Sequence, residues 1–161
     1  MYQKPVYVIW KNEINTSEDA KKFLRITRLI HFAMVLGVVL FGGVSLFISA
    51  KELSFTPAVD SPIIWAAILC CITTIGLSLA MVPIYLKISA TPENIRSAIQ
   101  QYQTFCILRW AIVEGGALFS GMTIILTKNI LPICLFVLLV SLLIYFYPSK
   151  KEFIALSEEK L

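Results

Sequence analysis

The chain has little charge and almost no histidine. Only 15% of its 161 residues are charged, against about 25% in soluble domains. That shortfall departs from the composition of an ordinary soluble domain. The single histidine, His31, excludes a bis-histidine haem within one protomer and any histidine-rich metal cluster. There are four cysteines, Cys70, Cys71, Cys106 and Cys134. None of them forms a C-x-x-C pair, which removes the usual redox and zinc spacings. They read as small, soft packing residues in apolar surroundings. H-E-x-x-H, Walker and G-x-S-x-G motifs are all missing, and so are paired intramembrane aspartates. No catalytic residue, cofactor-binding residue or metal ligand is therefore assigned. The sequence shows no cleavable leader: the first apolar block starts near Leu29, is too long, and lacks a small-residue cleavage site.

What the chain does have is apolar length. Hydrophobic residues make up 58% of it and the mean hydropathy is +0.80. The excess falls in four blocks, each close to the roughly 20 residues that cross a bilayer core. We expect an all-α membrane protein of four transmembrane helices arranged as two hairpins. The expected order is a cytoplasmic arm over 1–16, a first helix over 17–49, a second over 62–89, a third over 92–127, a fourth over 131–147, and a tail over 148–161. In the arm, Val6-Tyr7-Val8-Ile9-Trp10 suits an extended segment at the membrane surface. Asn15-Thr16-Ser17 can cap the first helix, and Thr91 with Pro92 can cap and open the third. The first helix has no proline to interrupt it. At about 50 Å it exceeds the bilayer, so its basic first turns protrude.

The basic residues set the orientation. Six Lys or Arg precede the first apolar block, two lie between the second and third, and three follow the fourth; the opposite side has only Lys51 and Lys128. By the positive-inside rule both termini are cytoplasmic, and four spans make that consistent. The modest net charge of +4 is accounted for by these junctions, so nucleic acid is not an expected partner. The expected partners are the lipid bilayer and further membrane-embedded chains, including copies of itself.

An offset of 78 residues lays the first helix over the third. His31-Phe32-Ala33 then meets Arg109-Trp110-Ala111, Leu36-Gly37 meets Glu114-Gly115, and Leu40-Phe41-Gly42-Gly43 meets Leu118-Phe119-Ser120-Gly121. This suggests a duplicated hairpin.

Four polar residues at membrane depth or its edge form the candidate site: Glu114, Arg109, His31 and Arg28. An acid in a spanning helix is expensive and is expected to face protein. The helical wheel places Glu114 with Ala111, Ala117 and Gly121, a small-residue face suited to helix packing. We expect it to pair with a polar side chain of the first helix, His31 or Arg28. Arg109 is offset from it by about 140° and must find another destination. Two polar directions on one helix suggest an oligomer that packs through Gly42-Gly43 or Gly115-Gly116. The milder series Cys70, Cys71, Thr74, Ser78 and Cys134, Ser141, Tyr145 read as packing stripes.

The run Arg109-Trp110-Ala111-Ile112-Val113-Glu114-Gly115-Gly116-Ala117-Leu118-Phe119 resembles the R-x4-E-G-x-A-L-F third helix of small, uncharacterised four-helix bacterial integral membrane proteins. Tyr147-Pro148-Ser149-Lys150-Lys151 is like their ends. The resemblance implies the architecture and a bacterial cytoplasmic membrane, and no activity. The chain is also similar to the duplicated-hairpin proteolipids of rotary ATPases, with four spans and an acid followed by small residues and Leu-Phe. It departs from them in two ways: Glu114 lies on the first helix of its hairpin, and the whole chain has seven glycines, too few for a tightly packed ring. The function expected from the sequence is a non-catalytic membrane subunit, assembly factor or scaffold. The alternative is a small ion-, proton- or solute-conducting oligomer that uses Glu114.

Overall fold

A computed structural model describes residues 18–54, 56, 59, 61–88, 95–149 and 152. Four helices follow one another: α1 (Glu18–Ser49), α2 (Pro62–Ile88), α3 (Ile95–Thr127) and α4 (Ile130–Tyr145). Among the described residues the fold is all-helical. Segments of α1, α2 and α3, at Lys21–Ser49, Pro62–Leu86 and Ile99–Thr127, are long and apolar enough to cross a membrane. α4 is apolar but has 16 residues, about 24 Å of helix, which is short of a bilayer core. The expected arm at Val6–Trp10, the caps at Asn15–Ser17 and Thr91–Pro92, and most of the tail lie outside the described residues.

α3 is the central element and packs against each of the other three helices. Its contacts with α1 keep one direction: His31 meets Trp110, Phe41 and Ser45 meet Gly121, and Ser49 donates to the Ile124 carbonyl. The two helices are thus parallel, with partners 75 to 80 positions apart. α2 runs the other way along α3, with Thr74 against Gly116 and Tyr85 against Phe105. α4 is antiparallel to α1, with Phe136 against Gly42 and the Leu143 carbonyl at His31.

The core along α3 comprises Phe105, Trp110, Val113, Ala117 and Ile124, joined by Val38, Leu139 and Leu143. The outside is apolar too. Leu29, Phe32, Leu40 and Phe47 on α1, and Leu69 and Ile72 on α2, are more than half exposed. In water such surface would be a severe liability; in hydrocarbon it carries no penalty. Four of the buried hydroxyls are satisfied locally. Thr27, Ser45, Ser120 and Thr123 each donate to the carbonyl four residues earlier, which lets them pack against neighbouring helices without an orphan donor.

The glycine pairs divide differently from the expectation. A Cβ on Gly42 would run into the Phe136 ring, and one on Gly116 would lie 2.6 Å from Thr74 Oγ1, whereas Gly43 and Gly115 face open space. Gly42 and Gly116 are therefore packing residues within the protomer, and only Gly43 and Gly115 are available outside it. Adjacent residues point 100° apart on a helix, so both members of such a pair cannot serve one contact.

The α1–α2 and α3–α4 connections also meet. Ser54 N–H donates to the Lys128 carbonyl at 2.8 Å, and Lys128 pairs with Glu52. Asn129 caps α4, its Oδ1 accepting from Leu131 N–H at 3.0 Å. The cap starts α4 at Ile130, one residue before the expected 131. Lys128 itself adopts φ 51°, the left-handed region that lets the chain reverse within two residues.

Candidate functional site

The polar groups gather where α4 ends. A helix leaves its last carbonyls without intrahelical donors, and in a membrane each must find another. Pro148, three residues past α4, prevents the helix from continuing. Two carbonyls at this terminus receive side-chain donors from other helices. His31 Nε2 lies 2.9 Å from the Leu143 oxygen, so Nε2 carries the proton. Trp110 Nε1 donates to the Phe146 oxygen at 2.9 Å. The His31 ring stands edge-on to Trp110 and Tyr147, with centroids 4.7 and 5.7 Å apart. His31 and Trp110 are thus the lateral cap of α4, supplied by α1 and α3.

The negative end of a helix favours cations, and two are present here. The Arg28 guanidinium lies 5.5 Å from the centre of the Tyr147 ring. Arg109 is closer in: its guanidinium carbon is 3.5 Å above the Phe146 ring, and its Nη1 donates to Glu152 Oε1 at 3.1 Å. Glu152 lies beyond α4, and its N–H donates to Ser149 Oγ at 3.0 Å. Tyr102, seven residues before Arg109 and on the same face, donates its hydroxyl to Glu152 Oε2 at 3.2 Å. Both carboxylate oxygens are therefore engaged by α3. Arg109 Nε is buried and has no hydrogen-bond partner among the described residues.

The four expected site residues do not form one constellation. His31, Arg28 and Arg109 converge on the α4 terminus. Glu114 stands apart, on the border between the packed and open sides of α3: Val113 and Ala117 beside it are buried, Ala111 and Leu118 are exposed, and Glu114 is half-buried. It makes no hydrogen bond or ion pair among the described residues, so the expected contact with His31 or Arg28 is not formed. The physical reason lies in the register. The His31–Trp110 and Phe41–Gly121 contacts bracket Glu114, and α1 between them offers residues 32–40, an entirely apolar run.

Arg109 satisfies part of its charge within its own chain, which removes one of the two polar directions from which an oligomer was argued. Glu152 is not among the expected site residues, because nothing local in a polar tail signals an ion pair with α3 43 positions earlier. The stripe expected on α4 also faces outward: Cys134, Ser141 and Tyr145 are exposed, whereas Thr74 and Ser78 on α2 are buried. All four cysteines are free. No family model matches this chain, and no curated protein or solved structure is similar to it.

Proposed function

We propose that the protein is a non-catalytic subunit, assembly factor or scaffold embedded in a bacterial cytoplasmic membrane, with four spans and both termini on the cytoplasmic side. One observation carries this reading. The one histidine, His31, gives its ring N–H to the Leu143 carbonyl at the end of α4, which is a structural role. The topology is supported by charge. Lys21, Lys22, Arg25 and Arg28 begin α1 at the end of the bundle where α4 finishes, and Lys51 and Lys128 lie at the other. α4 is short for a span, and local thinning of the bilayer accommodates such a helix at modest cost. The parallel, registered α1 and α3 fit a duplicated hairpin. The open Gly43 and Gly115 offer close-approach surfaces for a second copy or another spanning helix.

The second reading is conduction of protons or small ions by an oligomer, with a proteolipid-like ring as its extreme form. What favours it is Glu114, a half-buried intramembrane carboxylate with no partner among the described residues. Proteoliposomes loaded with a pH-sensitive dye separate the two. A scaffold gives the leak of empty vesicles under an imposed potential. A proton flux that disappears in Glu114→Gln would replace the first reading with the second.

A further inference from the structure

The α4 terminus borders a cavity of about 520 Å³ lined by Val82, Arg109, Tyr145, Phe146, Tyr147, Ser149 and Glu152. Arg109 is its cation. That residue is only 8% exposed, has a single hydrogen-bonded acceptor, Glu152, among the described residues, and keeps its Nε buried without one. A guanidinium presents five donors in a planar fork matched to phosphate or carboxylate oxygens. Here one acceptor from a tail carboxylate leaves most of that fork unused. The guanidinium meets the outside only through this cavity, and one of its faces is already covered by Phe146. The cavity's rim includes Tyr145 and Tyr147, which are 80% and 50% exposed. Exposed tyrosines at the end of an apolar helix belong at headgroup level. The cavity therefore opens where a bilayer carries its phosphates.

We propose that this cavity is a phosphate-binding site, with Arg109 as the residue that grips the phosphate group and Glu152 as the internal anion that holds its place. The phosphate is a lipid headgroup or a free phosphate, and Ser149 Oγ is a second donor once the tail moves. Glu152 opposes a bound anion by charge, so the site has two states: tail docked, with Glu152 on Arg109 and Tyr102, or phosphate docked, with the carboxylate displaced. The competition makes the tail's position depend on the ligand. This goes beyond the scaffold reading and does not require it, because a conducting oligomer could carry the same site.

Native mass spectrometry of the intact chain tests this. Phosphatidylglycerol is compared with the diacylglycerol of the same acyl chains, and inorganic phosphate is added as a competitor. Wild type is expected to retain phosphatidylglycerol at least tenfold better than diacylglycerol. Glu152→Gln should retain it more strongly, and Arg109→Gln should lose the preference. Competition by millimolar inorganic phosphate would assign the site to a free phosphate, and failure to compete would assign it to the lipid; both support a phosphate site. If Glu152→Gln retains phosphatidylglycerol no better than wild type, or if neither ligand shows any dependence on phosphate or on Arg109, the proposal is wrong. Glu152→Gln removes charge only, so it keeps the test decisive should Arg109→Gln misfold.

Discussion

Trp110 on α3 gives its indole N–H to the Phe146 carbonyl, 2.9 Å away and 36 residues on, at a point where α4 can no longer cap itself. His31 on α1 does the same for Leu143. Together they fix the depth and rotation of the shortest helix in the bundle. Trp110→Phe keeps most of the aromatic volume and removes the donor. It should cost about 1–3 kcal/mol, the range for stranding a buried acceptor, in equilibrium unfolding by denaturing detergent. His31→Leu should lose a similar amount, and His31→Gln, which can still donate, should recover part of it. Equal stability of all three variants with wild type would show that water or lipid serves these carbonyls.

Much of the fold was legible in the sequence. Apolar block length and proline placement located the helices within a few residues: α1 ends at Ser49 and α3 at Thr127, as expected. The offset of 78 lays His31 over Arg109, and in the structure His31 lies beside Trp110; the pairing of Glu114 with His31 or Arg28 expected from it is not formed. What a helical wheel could not supply was absolute rotation. It grouped Glu114 with Ala111, yet Ala111 is exposed and Glu114 sits on the edge. Nor could it reveal Glu152 on Arg109, because that pairing joins residues 43 positions apart and is a tertiary contact.

The glycines supply a matched test. Gly116→Ala places a methyl 2.6 Å from Thr74 Oγ1 and should destabilise by about 1–3 kcal/mol through overpacking. Gly115→Ala, one residue away, meets nothing within 4 Å and should be neutral or stabilising by up to about 1 kcal/mol through helix propensity. Thermal denaturation in one detergent compares them. If Gly115→Ala also weakens a cross-linkable dimer while leaving the protomer intact, the open face is an interface between copies.

Lys128 occupies a left-handed conformation that suits glycine or asparagine. Lys128→Gly should raise stability by a few tenths of a kcal/mol to about 1 kcal/mol, because the exposed ion pair it loses with Glu52 contributes little. A loss of stability would mean that the Lys128–Glu52 pair is the main tie between the two connections.

Among the described residues Glu114 has no partner to strand, which changes what its removal should do. Glu114→Gln and Glu114→Leu should both fold, and Glu114→Leu should be at least as stable as wild type, because it replaces a half-buried acid with an apolar group. A loss of more than about 1 kcal/mol in Glu114→Leu would reveal a hydrogen bond made in the membrane or across an oligomer contact.

Topology is the central claim, and cysteine labelling from outside intact cells measures it most directly. In a background where Cys70, Cys71, Cys106 and Cys134 are replaced, single cysteines are placed at Asp60, Glu93, Lys128 and Ser157. Lys128, beside the buried Asn129, has an exposed side chain. An impermeant maleimide should label the Asp60 and Lys128 positions and leave Glu93 and Ser157 unmodified until the cells are lysed. Labelling at Glu93 from outside would reverse the orientation. Labelling at both Lys128 and Ser157 would show that the short α4 does not cross the membrane.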